Sequence, residues 1–433
     1  MKNSISKQAE LAKEASIKLA VLSTKIKNRA LLAIADALKR NQKHILDTNK
    51  KDIEEAKKSN LNEVLIKRLM LDEHKIDEMV QEVKSVVKLE DPVGKILSQV
   101  ELDNGLMLYQ VTCPIGVIGA IFESRPDVVT QISALCLKSG NAVILKGGSE
   151  AKNSNKVLVN IISKTAENSG LPKGAIQLLE TREEVSQMLK LSDYINLIIP
   201  RGSNKFVKYV QEHTKIPVLG HSEGICNVFV DKDADIKKAI DICFDAKCQY
   251  PAVCNAMETM LVHKDIAKKF LPFMIDKFKK AKVEIRGDDK TRKIVNNIKK
   301  TTEKDWATEY NDLILSVKIV DDLNEAINHI NKYGSKHTDA IVTENKKNAD
   351  IFMNLVDSAS VMWNASTRFA DGFRYGKGAE VGISTAKIHS RGPVGLEGLV
   401  IYKYKLIGKG HIVKDYSGKN AKRFKHKIIK KLY

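Results

Sequence analysis

Long apolar runs, paired cysteines and a nucleic-acid-binding signature are all missing from this 433-residue chain, and each absence removes a class of function. No apolar run approaches the roughly 18 to 20 residues that span a bilayer, so no membrane-spanning helix is expected. The opening residues, MKNSISKQAELAKEAS (1–16), lack the apolar segment of a secretory leader, and a cytoplasmic location is the expectation. Six cysteines occur, at 113, 136, 226, 243, 248 and 254; none forms a Cys-x-x-Cys pair or stands at zinc-type spacing from a histidine. They are therefore expected as reduced thiols, with no metal site. The net charge is +19, yet most lysines are interspersed with acids, as in KKDIEEAKK (50–58), and aromatics do not alternate with basic residues. Nucleic acid is thus not the expected partner, although the positive field suits anionic small molecules.

What is present describes a globular enzyme of two or three domains, with 43% apolar and 29% charged residues. From 113 to 230, strand-like and helix-like segments alternate: GVIGAIF (116–122), DVVTQISALCLKSG, NAVILK (141–146), a helix opened by Ser149, AIQLLE, REEVSQMLKL, INLIIP (195–200), RGSNKFVKYVQEH and GICNVFV. Such alternation predicts a parallel, doubly wound sheet that binds ligands beyond the carboxyl ends of its strands. A second, smaller alternation runs to SVMWNAS and predicts another α/β domain. Residues 97–111 and 398–408 read as an outlying β-element, and KRFKHKIIKKLY (422–433) as a short amphipathic helix with Phe424, Ile428, Ile429 and Leu432 on its apolar side.

Two strand ends carry glycine and serine at a helix start: Lys146-Gly147-Gly148-Ser149 and Arg201-Gly202-Ser203. Neither is G-x-G-x-x-G, and each serves as a cap or as an anion site using free helix N–H groups. Cys136 and Cys226 fall in apolar segments and Cys243 and Cys248 on a helical pattern, which reads as packing. Cys254 differs, because Pro251 breaks the helix before it and leaves the thiol on a turn.

The runs CPIGVIGAIFESRPDV (113–128), ILKGGSEA (144–151), IPRGSNKFV (199–207), PVLGHSEGICNVFVD (217–231), QYPAVCNAMETMLVH (249–263) and VMWNASTRFADGFRYGKGAEVGISTAKIHSRGP (361–393) span nearly the whole chain. They resemble the γ-glutamyl phosphate reductase (glutamate-5-semialdehyde dehydrogenase) family of the aldehyde dehydrogenase superfamily. The resemblance implies an aldehyde dehydrogenase-like α/β fold: a Rossmann-type NADP-binding domain (1–96 and 113–222), an α/β catalytic domain (223–395), an oligomerisation β-element (97–112 and 396–410) and a basic tail (411–433). It implies NADPH-dependent reduction of L-glutamyl 5-phosphate through a thioacyl enzyme, in the second step of proline biosynthesis. Another aldehyde or acyl-CoA dehydrogenase on the same scaffold is the alternative. A homo-oligomer and association with a separate glutamate 5-kinase are the implied partners.

Residue by residue, the resemblance makes Cys254 the nucleophile and places Asn255 at the oxyanion. It puts the cofactor on Lys146, Gly147, Gly148, Ser149, Gly202, Ser203 and Glu309. GHSEG puts His221 where hydrolytic relatives hold a glutamate base, and Arg125 stands about where they have an oxyanion-binding asparagine. Arg125 suits a phosphate leaving group, or else pairs with Glu123 or Asp127; His221 is catalytic, or else a satisfied structural imidazole. Asn364, Ser366, Thr367, Arg368, Ser384, Thr385 and Arg391 are substrate candidates from their position near a strand end.

Overall fold

The computed structural model describes residues 2–221 and 223–431. Four strands form a parallel sheet in the spatial order Ile176–Leu178, Ala142–Lys146, Val117–Phe122 and Leu197–Arg201. In chain order this is 3-2-1-4, so the direction of winding reverses between Val117–Phe122 and Leu197–Arg201, and a crevice opens beyond their carboxyl ends. All of Val117–Phe122 is buried, as expected of a strand covered on both faces. Helices Thr24–Arg40, Glu73–Lys88, Asp127–Lys138 and Lys152–Asn168 supply apolar stripes to one continuous core around this sheet.

A second, seven-stranded parallel sheet runs Lys299–Lys300, Glu284–Gly287, Ile314–Val320, Met257–His263, Cys226–Val230, Thr338–Val342 and Ser360–Trp363. Its own core includes Phe270, Met274 and Phe278 of the helix Lys264–Lys280. Ala379, Val381, Val394, Leu396 and Leu399 pack into the first core rather than this one, although their position in sequence assigns most of them to the second domain. The short strands Gly382–Ser384 and Gly392–Val394 in this segment have no periodic signature to show this in advance.

An antiparallel sheet of Val400–Ile407, Leu106–Pro114, Ile96–Asp103 and Lys427–Lys431 stands apart. The last strand corrects the expected C-terminal helix. An isolated helix of that length is marginal, whereas the free edge of Ile96–Asp103 offers a ladder of unpaired backbone groups to the β-branched Ile428 and Ile429. Glu101 lies opposite Lys427, a favourable cross-strand charge pair, and the Tyr416 hydroxyl donates to Asp103 at 3.0 Å. Phe424 stacks on Tyr416 with centroids 4.5 Å apart, and Leu432 lies outside the described residues.

Candidate active site

The helix Ile236–Cys248 ends beside the amino edge of the seven-stranded sheet, and Pro251 leads into the turn that holds Cys254. Gly224 makes this turn possible, because a Cβ there would strike the Cys254 backbone, at 2.5 Å from Cα and 2.6 Å from the carbonyl carbon. The Cys226 thiol donates to the Cys254 carbonyl at 3.2 Å. Asn255 Nδ2 donates to the Ala370 carbonyl at 2.8 Å, so the amide ties the turn to the segment after the last strand of this sheet. Cys136, Cys226 and Cys243 are buried, and burial pushes their thiols up; Cys248 is pushed up to about 11. Cys254 is partly exposed in the cleft.

Two histidines flank the thiol. His221 Nδ1 donates to the Ile383 carbonyl at 2.8 Å; because a carbonyl only accepts, the proton is on Nδ1 and Nε2 keeps its lone pair. His337 Nδ1 meets Thr338 Oγ1 at 2.9 Å, and its Nε2 is buried without a hydrogen-bond partner. The rings meet edge to face with centroids 4.7 Å apart, and one nitrogen of each lies within 4.8 Å of the other and of Cys254 Sγ. Burial lowers both pKa values below the ordinary histidine range; Cys254 pulls that of His337 back and the Ile383 carbonyl that of His221, and both imidazoles are neutral at pH 7. His337 escaped the sequence reading, since a lone histidine before a buried strand carries no pattern.

The opposite wall is the switch point of the four-stranded sheet. Arg125 and Arg201 come from the ends of adjacent strands, and their mutual repulsion adds to burial in lowering the Arg201 pKa. Arg201 Nη1 donates to Gln131 at 2.9 Å. Among the described residues Arg125 makes no ion pair with Glu123 or Asp127: the Glu123 carboxylate accepts the Ser203 N–H at 2.9 Å, and Asp127 lies 3.8 Å from Lys75. The first N–H groups of the helix Lys152–Asn168 already face the buried Asp52 carboxylate, which accepts from Asn153 N at 3.2 Å and Ser154 N at 2.7 Å. Asp52 thus caps the helix that follows the first opening, and Glu123 takes the Ser203 N–H at the second.

All the cofactor candidates, Lys146, Gly147, Gly148, Ser149, Gly202, Ser203 and Glu309, line one cleft of about 1290 Å³ that also contains Cys254 and Arg125. A Cβ on Gly147 would collide with the Asn155 amide and one on Gly148 with the Glu150 carboxylate, so the floor beside the buried Lys146 stays bare. A bare floor with a lysine at a strand end fits a dinucleotide, whose backbone must approach closely. The Glu150 carboxylate is turned onto Ser124, accepting its N–H at 2.7 Å and its hydroxyl at 2.6 Å. Glu309 accepts from Asn204 Nδ2 at 3.1 Å. Its loop is pinned from beneath, where Glu258 accepts the Asn311 N–H at 3.2 Å and pairs with Lys247 at 2.6 Å, both side chains fully buried.

The substrate candidates divide. Arg368 lines the cleft, with Nε donating to Gln249 at 2.9 Å. Asn364, Ser366, Thr367, Ser384, Thr385 and Arg391 are not among the lining residues. Asn364 is held by both backbone groups of Thr343, at 2.9 and 3.0 Å, Ser366 caps the next turn, and Arg391 is spent on Asp357 at 2.9 Å. Thr367 and Ser384 are fully buried. These candidates followed the carboxyl-end rule, whereas Cys254, Gly224 and His337 all stand at the amino ends of this sheet. Glu380 was missed: it lines the cleft, accepts the Gly372 N–H at 2.8 Å, and its pKa is raised by burial.

Residues 2–305 match the model of the aldehyde dehydrogenase family. The chain is 57% identical to a γ-glutamyl phosphate reductase of Methanococcoides burtonii, covering 99% of this chain and 98% of that one. Its fold superposes on the crystal structure of the γ-glutamyl phosphate reductase of Thermotoga maritima with a TM-score of 0.92 at 43% identity, over 94% of this chain and 99% of the other. An engineered glycolyl-CoA reductase with bound NADP+ shares the fold at a TM-score of 0.66 and 17% identity, over 93% and 96% of the two chains.

Proposed function

The chain belongs to the aldehyde dehydrogenase family and, within it, to the γ-glutamyl phosphate reductases, and from that premise we propose how its cleft works. It reduces L-glutamyl 5-phosphate to L-glutamate 5-semialdehyde and inorganic phosphate, in the synthesis of proline, with a nicotinamide cofactor. One observation carries the reading of the site: a thiol beside two neutral imidazoles faces a pair of arginines at a switch point.

His337 accepts the Cys254 proton on its unpartnered Nε2, and the thiolate adds to the γ-carbonyl. Arg125 and Arg201 neutralise the phosphate as the C–O bond breaks and the thioester forms. Arg368 takes the α-carboxylate, and the half-buried Glu380, which makes no ion pair among the described residues, takes the α-ammonium and regains its charge by doing so. When bound, the nicotinamide supplies the hydride. His221 stands where hydrolytic relatives hold a glutamate base, and burial lowers its basicity, so water is activated poorly and the thioester survives until it is reduced.

The cofactor is NADPH in this reading, because Lys146 stands at the strand end and the Glu150 carboxylate is engaged by Ser124 instead of meeting a 2′-phosphate. Strand Val400–Ile407 is a free sheet edge with Ile401, Tyr404, Leu406 and Ile407 exposed, which favours a homo-oligomer. The test is oxidation of the semialdehyde with NADP+ and with NAD+, each with and without inorganic phosphate. Phosphate-dependent turnover that favours NADP+ is expected; equal rates without phosphate, giving free glutamate, would refute the mechanism.

A further inference from the structure

The nucleophile and its two imidazole neighbours form a donor cluster that suits a second chemistry besides the reduction. Cys254 Sγ and one ring nitrogen each of His221 and His337 lie within 4.8 Å of one another. Both Nδ1 atoms are occupied, His221 on the Ile383 carbonyl at 2.8 Å and His337 on Thr338 Oγ1 at 2.9 Å. That outer bonding is what orients metal-binding histidines, since it fixes the tautomer and aims Nε2 inward. His337 is fully buried, and its Nε2 has no neighbour at ordinary hydrogen-bond distance; the group it faces is the Cys254 thiol, with which it can share a bound ion. The three residues are 33 and 83 positions apart in the chain, so no spacing motif announces them.

We propose that Cys254, His221 and His337 form a three-ligand site for a zinc-class divalent ion, and that its binding reversibly silences the reductase. This rests on reading Cys254 as the nucleophile. One thiolate and two neutral imidazoles select zinc-class ions over magnesium or calcium, which require oxygen ligands. Bonds of about 2.3 Å to sulfur and about 2.0 Å to nitrogen at tetrahedral angles place the donors roughly 3.3–3.6 Å apart. The donors, within 4.8 Å of one another, must therefore close by up to roughly 1.5 Å; a rotamer change at Cys254 moves its sulfur that far, and the ring nitrogens approach by rotation of the imidazoles. The Cys254 turn is partly exposed and carries no regular structure that would resist the movement. On binding, the thiol loses its proton to solvent, one metal–sulfur and two metal–nitrogen bonds form, and the fourth position faces the cleft and takes water. No electron is transferred, and the enzyme returns when a chelator removes the ion.

The experiment titrates reduced, metal-free protein with Co2+ under anaerobic conditions and, in parallel, follows inhibition by Zn2+. One ion per chain is expected, with tetrahedral visible bands and a thiolate-to-cobalt charge-transfer band in the near ultraviolet. Cys254→Ser should lose the charge-transfer band. His221→Ala and His337→Ala should each weaken binding at least tenfold, with folding checked by circular dichroism because His337 is buried. Cys248→Ser, remote from the cleft, should leave both the spectrum and the Zn2+ midpoint unchanged. A charge-transfer band that survives Cys254→Ser, a midpoint unmoved by both histidine changes, or no band at all in active wild-type protein would overturn the proposal. A Cys254→Ser protein that stayed active would instead sink the nucleophile assignment, so the two failures are separable.

Discussion

Replacing Gly224 with alanine should cripple catalysis while leaving the fold in place. Gly224 is not in the left-handed backbone region, so alanine costs nothing there in φ; the whole effect comes from the close approach of Cys254. The added methyl would lie 2.5 Å from Cys254 Cα and 2.6 Å from its carbonyl carbon, so restoring ordinary contact demands a displacement of about 1 Å. Gly224 sits immediately before the buried strand Cys226–Val230, whose ladder resists movement, so the turn carrying Cys254 yields instead. Overpacking of this kind costs about 1–3 kcal/mol of stability. A displacement of about 1 Å at a nucleophile costs on the order of a hundredfold in rate. The assay is kcat for phosphate-dependent semialdehyde oxidation, together with Tm and the Kd for NADPH. A folded Gly224→Ala enzyme with kcat within threefold of wild type would refute the reasoning.

Cys254→Ser should abolish turnover, by about a thousandfold or more since a hydroxyl lacks the acidity and nucleophilicity of the thiol, while Cys136→Ala and Cys243→Ala lose stability alone; steady-state rates and thermal melts check both. Glu82, at the cleft, has its carboxyl raised to about 7 by burial and by Asp127, so its contribution to stability is complete below about 4.5 and is lost as pH rises through 7. Glu82→Gln should therefore gain up to about 3 kcal/mol over wild type at pH 8 and nothing at pH 4, as read from urea denaturation at the two values. A chain ending after Gly410 loses the edge strand Lys427–Lys431, so it should keep its kcat but expose Ile96–Asp103 and aggregate more readily, as light scattering would show.

The sequence by itself determined the two α/β halves, the buried strands such as Val117–Phe122, the turn that sets Cys254 apart from the helical Cys243 and Cys248, and, through long matching runs, the reaction class. These are local properties: apolar periodicity, a proline ending a helix, residues adjacent in the chain. Only the tertiary structure decided which groups meet. His337 joins Cys254 from 83 residues away, Asp52 caps the helix Lys152–Asn168 from a distant part of the chain, and the tail takes a strand because an edge happened to be vacant. The catalytic sheet presents its amino ends to the cleft, so Asn364 and Arg391 turned elsewhere while Glu380 turned in. Long-range pairing of this kind leaves no mark on neighbouring residues. It depends on the direction in which a packed strand points and on which backbone groups are left unsatisfied, and both are settled when the cores close.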